Sequence, residues 1–134
     1  MRYVISDIHG CYEEYIELID KISLSTEKDT IYILGDTLDK GPEPIKVLLD
    51  IMQRKNVIYI LGNHEYLFLY FIRKMGIDLS DINAMSEEDI QDFFTYLEDG
   101  GYITIKKYLQ LSLKKRQQLV AYIKNSKKYY DLKS

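Results

Sequence analysis

Three short apolar segments, each followed at once by a polar motif, constrain the fold of this chain most strongly. The segments cover residues 3–5, 30–34 and 57–61, and their length and composition predict buried strands. Apolar residues at helical spacing follow the first two segments. A strand–helix–strand–helix–strand order with short connections predicts a parallel sheet formed by two right-handed crossovers. We therefore expect an α/β protein whose first part is a βαβαβ parallel sheet.

The apolar pattern after the third strand is helical. The expected helices are, in chain order, residues 12–22, residues 43–56, residues 65–75, a helix capped by Ser86 and broken at Gly100 and Gly101, and residues 112–125. The first residues of the 43–56 helix include a proline, which fits the first turn because its missing N–H has no helical partner there. Residues 127–132 look like the approach to another strand. We expect a single domain, with a βαβαβα part at residues 1–75 and a helical part at residues 76–134.

The composition is that of a soluble globular protein, because 46% of the 134 residues are hydrophobic and 29% are charged. The single cysteine, Cys11, excludes an internal disulfide and suits a reducing compartment. The longest apolar run, residues 67–72, is too short to span a membrane, and the N-terminus has no signal pattern. We therefore expect a cytoplasmic protein with no membrane partner.

Charge is unevenly distributed along the chain. Residues 1–50 contain eleven acidic and five basic side chains, whereas residues 101–134 contain nine basic and one acidic side chain. Such a basic run can bind nucleic acid or another polyanion, but it is more often the solvated face of a helix. We interpret it as a solvated face and do not expect a nucleic-acid partner.

The chemistry of the chain is concentrated in the three polar motifs. They are Asp-Ile-His-Gly at residues 7–10, Gly-Asp-Thr-Leu-Asp-Lys-Gly at residues 35–41 and Gly-Asn-His-Glu at residues 62–65. Ligands of open α/β sheets bind outside the carboxyl ends of the strands, so we expect the motifs to converge at one sheet edge. Hard or borderline divalent metals prefer carboxylate oxygen and imidazole nitrogen. Asp7, His9 and Asp36 are therefore the candidate ligands of a first metal.

With the remaining motif residues, these ligands resemble the front half of a two-metal phosphoesterase site. Asp36 can bridge to a second metal, to which Asn63 can add a carbonyl oxygen, and two metals roughly 3.5–4 Å apart can clamp a phosphate and activate the attacking water. His64 is free to donate a proton to the leaving oxygen, with Asp39 orienting its imidazole. Lys40 can neutralise phosphate charge, and Asn63 is a second candidate phosphate contact. These motifs predict His64 and Asp39 as the catalytic residues.

Each motif taken alone has a structural explanation. An aspartate or asparagine after a strand, such as Asp7 or Asn63, is more often a helix cap. A lone His9 is more often a hydrogen-bonded structural histidine than a ligand, and Asp36 and Asp39 can be ordinary turn residues. The occurrence of all three motifs after three consecutive strands favours the metal site over coincidence.

The motifs D-x-H-G, G-D-x-x-D-[RK]-G and G-N-H-E resemble the signature of the calcineurin-like metallophosphoesterases. The resemblance is greatest to the phosphoprotein phosphatases and the symmetrical diadenosine tetraphosphate hydrolases of that superfamily. The stretch from Asp99 to Thr104 also resembles the Asn-Gly-Gly segment of small bacterial and phage phosphatases in the group. The resemblance implies an α/β/β/α sandwich, of which this chain supplies the βαβαβ half and a helical segment.

The resemblance implies the same site residues. They are the metal ligands Asp7, His9, Asp36 and Asn63, the catalytic residues His64 and Asp39, and the phosphate contacts Lys40 and Asn63. Oxygen-rich ligation favours Mn²⁺, with Fe and Zn as alternatives. Lys40 stands where arginine is commoner, which replaces a bidentate phosphate contact by a single one. Relatives supply two further ligand histidines, and no residue after His64 matches them, so we expect a C-terminally truncated domain that binds its second metal weakly.

The function expected from this reading is a metal-dependent phosphatase that acts on phosphomonoesters, with Ser/Thr phosphoproteins as the favoured substrates. One alternative is a dinucleoside polyphosphate hydrolase, and another is an inactive metal-binding fragment or partner-interaction module. The expected partners are a phosphoprotein or a phosphorylated small molecule. A second copy of the chain or a complementing C-terminal segment are further candidates.

Overall fold

Strands and helices alternate in the first half of the chain, and the second half is helical. The computed structural model describes residues 1–22, 28–75, 86–126 and 128. The strands are β1 (Arg2–Ser6), β2 (Thr30–Leu34) and β3 (Val57–Ile60). The helices are α1 (Tyr12–Lys21), α2 (Pro44–Gln53), α3 (Asn63–Met75), α4 (Glu87–Tyr96), α5 (Tyr102–Leu109) and α6 (Leu113–Lys124), and a π turn at Leu97–Gly101 joins α4 to α5.

The three strands form one parallel sheet in the order β1-β2-β3. Ser6 lies beside Leu34, and Leu34 lies beside Ile60, so the three strands end level with one another. The residues that follow each strand therefore leave the sheet at the same edge. The predicted α/β fold with a βαβαβ parallel sheet is confirmed.

The hydrophobic core joins the central strand to the helices around it. Ile31 and Ile33 of β2 have no exposed surface, and Val47, Leu48 and Ile51 of α2 are equally buried. Full burial of such a side chain stabilises the fold by roughly 1.5–3 kcal/mol. Because α2 also packs against α1, α5 and α6, the helical part shares this core. The division of the chain at residue 75 stays a prediction.

Helix α3 is less enclosed than its sequence suggests. Its almost uniformly apolar pattern predicted cover on every side, and Phe68 and Phe71 are indeed buried. Tyr66, Leu67 and Tyr70, however, keep 42%, 39% and 37% of their surface exposed. The phenol oxygens of the two tyrosines make partial exposure tolerable.

After α3, the predicted cap at Ser86 and the predicted break at Gly100 are both present, and one helix was not predicted. Ser86 caps α4, as predicted, because its hydroxyl accepts a hydrogen bond from the Asp89 amide at 3.1 Å. Gly100, with φ of 102°, breaks the helical backbone as predicted, and α5 begins directly after Gly101. Helix α5 was not predicted. The predicted strand approach at residues 127–132 lies outside the described residues, apart from residue 128.

Membrane insertion has no support among the described ranges, where no helix combines the length and the apolar character needed to cross a bilayer.

Candidate functional site

The loops that follow β1 and β2 have an unusual backbone. Five non-glycine residues of the described ranges have positive φ, and all five lie in the first two loops: Asp7, His9, Asp36, Asp39 and Lys40, with φ of 53°, 43°, 50°, 73° and 74°. Residues held in sparsely populated backbone regions cost roughly 1–3 kcal/mol each and cluster at functional sites. Every one of them had been predicted as a site residue. The strain therefore marks this sheet edge as the candidate site.

Glycines allow the loops to approach one another. A Cβ on Gly62 would lie 2.6 Å from Asp36 Oδ1 and 2.7 Å from the Asp36 backbone nitrogen. Any side chain at this position would therefore displace the loop after β2 from the start of α3. This close approach is why the second and third motifs can share one site.

Asp7, His9 and Asp36 form the candidate metal centre. Each offers one ligand atom, and these atoms lie within 4.8 Å of one another. The Nδ1 atom of His9 is 2.9 Å from the carbonyl oxygen of Leu38, which can only accept, so Nδ1 carries the proton. The unprotonated Nε2 then remains for a metal, and it lies 3.8 Å from Asp7 Oδ1. Two carboxylates and one oriented imidazole fit a divalent transition metal.

Asn63 lies next to this centre as the first residue of α3, and it is exposed. The backbone N–H of the following residue, His64, donates to Asp36 Oδ1 at 3.2 Å. The start of α3 is thereby attached to the carboxylate predicted to bridge two metals. This placement suits the predicted role of Asn63 at a second metal, and that role stays a prediction.

His64 and Asp39 form a hydrogen-bonded dyad. His64 Nδ1 is 2.7 Å from Asp39 Oδ2, and the exposed fractions of the two side chains are 14% and 0%. The imidazole of His64 meets that of His9 edge to face, with ring centroids 4.9 Å apart. Since Nδ1 donates to the carboxylate, Nε2 of His64 is the atom free to exchange a proton with a substrate. The structure thus brings together the two residues predicted to be catalytic, beside the metal centre.

Lys40 follows this dyad on the same loop and has an exposed side chain. Its backbone N–H donates to the carbonyl oxygen of Gly100 at 3.0 Å. A Cβ on Gly100 would lie 2.7 Å from the Lys40 nitrogen, so only glycine permits this contact. The backbone of Lys40 is therefore fixed, and its predicted contact with phosphate stays a prediction.

Glu65 is a site residue that the sequence analysis missed. It is fully buried, and its carboxylate accepts four hydrogen bonds, from the backbone N–H groups of Asp36, Thr37 and Gly62 and from the Tyr59 hydroxyl. Burial and then the charge of Glu65 raise the pKa of Tyr59, so the phenol remains a donor. One buried carboxylate thus holds the second and third motifs together. The sequence signal that could have identified Glu65 is its position at the end of the Gly-Asn-His-Glu motif.

Replacing Glu65 by glutamine should destabilise the chain by about 3 kcal/mol. Each carboxylate oxygen accepts from at least one backbone N–H, that of Thr37 on Oε1 and those of Asp36 and Gly62 on Oε2. In either orientation the amide NH₂ would therefore face a donor and lose a bond worth about 1.5–3 kcal/mol. Urea denaturation followed by circular dichroism measures the change. Glu17→Gln, the same substitution at an exposed position of α1, should change stability by less than about 0.5 kcal/mol. Equal stability of both variants with the unaltered chain would contradict the role of Glu65.

Two further missed residues surround Asp39. Tyr96, at the end of α4, and Thr104, in the first turn of α5, are buried. Both donate a hydrogen bond to Asp39 Oδ1, at 3.0 and 2.5 Å. Neither belongs to the three motifs, although Thr104 ends the Asp-Gly-Gly stretch that the sequence singled out.

Comparison with known proteins gives the family. The sequence model described as calcineurin-like phosphoesterase (Metallophos) matches residues 2–131, nearly the whole chain. This chain belongs to the calcineurin-like phosphoesterase family. The predicted resemblance is confirmed, and with it the assignment to a family of metal-dependent phosphoesterases.

Three relatives indicate which members of the family this calcineurin-like phosphoesterase resembles. A symmetrical bis(5'-nucleosyl)-tetraphosphatase of Wigglesworthia glossinidia brevipalpis is 34% identical over 110 residues, which cover 79% of this chain and 40% of the relative. The asymmetrical bis(5'-nucleosyl)-tetraphosphatase PrpE of Halalkalibacterium halodurans is 32% identical over 105 residues, 64% of this chain and 43% of the relative. A solved structure named "Crystal structure of a putative diadenosine tetraphosphatase" superposes with a TM-score of 0.52 at 26% identity, over 72% of this chain and 41% of its own. The chain thus spans about two-fifths of the length of these relatives.

Proposed function

We propose that this chain is a metal-dependent hydrolase that cleaves dinucleoside polyphosphates. The observation that carries the proposal is the juxtaposition of a three-ligand metal centre, Asp7, His9 and Asp36, with the His64–Asp39 dyad at one sheet edge. The names of the two curated relatives support a dinucleoside polyphosphate substrate better than the phosphoprotein substrate favoured by the sequence. Hydrolysis of a phosphoprotein is the alternative function, and a comparison of substrates tests it.

The metal centre is assigned to named residues of the chain. Asp7, His9 and Asp36 would hold one divalent ion, and Asp36 with Asn63 would contribute to a second. When bound, two such ions polarise the phosphoryl group and lower the pKa of the attacking water. The carboxylate and amide oxygens favour Mn²⁺, with Fe and Zn as alternatives. The backbone bond from His64 to Asp36 keeps this centre and the dyad at a fixed separation.

The dyad supplies the proton for the leaving group. With Nδ1 bonded to the buried Asp39, Nε2 of His64 is the atom from which a proton can pass to the leaving group. Asp39 fixes the ring orientation and stabilises the charged imidazolium before transfer. The exposed amino group of Lys40 would neutralise a phosphate oxygen as a single-point contact. The chain's own residues thus orient the substrate and move one proton.

A substrate comparison on the purified chain tests the proposal. The chain is stripped of metal and titrated with Mn²⁺, and turnover is measured on diadenosine tetraphosphate, p-nitrophenyl phosphate and a phosphoserine peptide. We expect metal-dependent hydrolysis with the highest kcat/KM on diadenosine tetraphosphate. Chromatography separates central cleavage, which releases two ADP, from off-centre cleavage, which releases AMP and ATP.

Two outcomes would overturn the proposal. A higher kcat/KM on the phosphopeptide would support the phosphoprotein phosphatase instead. Binding of metal without turnover of any substrate would support the non-catalytic module. Asp20→Asn, at an exposed position of α1, serves as the control for loss of one acidic group and should leave turnover unchanged.

A further inference from the structure

The carboxylate of Asp39 is held from the side opposite His64. While Oδ2 faces the imidazole, Oδ1 accepts from the hydroxyl of Thr104 at 2.5 Å and from that of Tyr96 at 3.0 Å. The Thr104 oxygen also accepts the backbone N–H of Asp39 at 2.8 Å. A hydroxyl has one proton to donate, so this backbone contact directs the Thr104 proton towards the carboxylate. Thr104 therefore contacts both the backbone and the side chain of the same residue.

Tyr96 provides the second fixed donor. The phenol is 4% exposed, and burial followed by the negative charge of Asp39 raises its pKa far above the usual range. The hydroxyl therefore stays protonated and can only support the carboxylate. Two donors on Oδ1 and one on Oδ2 leave Asp39 little freedom to rotate about its side-chain bonds.

Both donors come from the helical part of the chain, outside the three motifs. The π turn between Tyr96 and Thr104 brings α4 and α5 onto the loop after β2. Glycine is needed at position 101, because a Cβ on Gly101 would lie 2.5 Å from the Tyr96 ring. Lys40, which follows Asp39 in that loop, donates its backbone N–H to the carbonyl oxygen of Gly100. Four hydrogen bonds thus link the turn region to two consecutive loop residues, Asp39 and Lys40.

We propose that Tyr96 and Thr104 are positioning residues, which hold Asp39, and through it the His64 imidazole, in the orientation required for proton donation. The catalytic consequence rests on the proposed hydrolytic function, whereas the structural consequence for His64 does not. In addition to linking two helices, the turn between α4 and α5 then holds the His64–Asp39 dyad in place. Loss of its hydroxyls should slow proton transfer without weakening substrate or metal binding.

The imidazole itself reports the structural consequence. Because the sequence contains only two histidines, the imidazole signals in nitrogen-15 spectra of the purified chain come from His9 and His64 alone. The spectrum of His9→Ala assigns each signal to its residue. We expect a downfield Nδ1–H signal of His64 in the unaltered chain and in Thr104→Ser. In Thr104→Val and Tyr96→Phe this proton should exchange with water about 10-fold faster, since one supporting hydrogen bond is lost.

Matched controls separate this effect from a general loss of stability. Thr95→Val and Tyr102→Phe make the same changes at exposed positions beside Tyr96 and Gly101 and should leave the His64 signal unchanged. Thermal unfolding of each variant identifies any that fail to fold. Tyr96→Phe keeps the aromatic ring and provides the test if the buried valine variant is unfolded.

Kinetics report the catalytic consequence. Thr104→Val should lower kcat on phenyl phosphate by about 10- to 100-fold, below the 10²–10⁴-fold contribution of a general acid, with KM and metal content unchanged. The loss should be smaller on p-nitrophenyl phosphate, whose better leaving group needs less protonation, and Thr104→Ser should restore the rate. Adding Thr104→Val to Asp39→Asn should cause little further loss, because the two residues act through one group.

The outcomes distinguish this inference from the proposed function. An unchanged His64 signal in folded Thr104→Val and Tyr96→Phe would overturn the inference, whatever the activity. A changed signal in a chain that hydrolyses no substrate would support the inference and count against the proposed function. Equal loss of kcat on both aryl phosphates would place the effect outside proton donation and overturn the catalytic part.

Discussion

Replacing His64 by alanine should lower the turnover of phenyl phosphate by about 10²–10⁴-fold and leave the metal content unchanged. The imidazole is bonded to Asp39 through Nδ1 at 2.7 Å and is not a member of the three-ligand centre. Its removal takes away the proton donor but none of the proposed ligands. Steady-state kinetics and metal counting on the same preparation measure both quantities. The loss should shrink on p-nitrophenyl phosphate, where departure of the leaving group needs less assistance.

The matched comparison is His9→Ala. His9 presents Nε2 towards Asp7 while Nδ1 is held by the Leu38 carbonyl, so its removal should cost metal as well as turnover. The pair therefore separates the two histidines by metal content, although both variants lose activity. If His64→Ala released metal and His9→Ala retained it, the two assignments would have to be exchanged.

The strands and the site motifs could be predicted because their signals are local. Residues 30–34 are mostly apolar, follow a polar stretch of sequence and form β2 with the predicted bounds. Asp7, His9 and Asp36 follow strands directly, and the end of a parallel strand determines where the next residue leaves the sheet. Knowing where the strands end was therefore sufficient to predict that these three residues lie close together.

The supporting residues could not be predicted, because their partners are distant in sequence. Thr104 contacts Asp39 across 65 positions. Although Thr104 ends the stretch that the sequence analysis singled out, nothing in that stretch indicates a contact with Asp39. Glu65 was visible as a motif residue, but its burial and its four donors depend on how the loop after β2 folds over α3. The side chains proposed to carry out chemistry were recognisable from the motifs, whereas the side chains that hydrogen-bond to them became visible only in the tertiary structure.

Asp36→Asn should abolish binding of the first metal and with it all turnover. Asp36 is the ligand shared by the two proposed metals, and the substitution removes its negative charge and one oxygen while keeping the side-chain shape. The positive φ of 50° is tolerated by asparagine as well as by aspartate, and the backbone bond to Glu65 does not involve the side chain. The fold should therefore persist, and the loss of affinity should exceed the 10- to 100-fold typical of residues that only orient ligands.

Calorimetric titration with Mn²⁺ and metal counting measure this loss, with circular dichroism confirming the fold. Asp39→Asn is the matched variant, since Asp39 also has positive φ, at 73°, and contacts His64 without belonging to the metal centre. It should bind Mn²⁺ normally and lose turnover. Two variants with the same chemical change and the same backbone region would then differ only in metal content, because one carboxylate binds the ion and the other holds the imidazole. Normal Mn²⁺ stoichiometry in Asp36→Asn would remove Asp36 from the metal centre and leave Asp7 and His9 without their bridging partner.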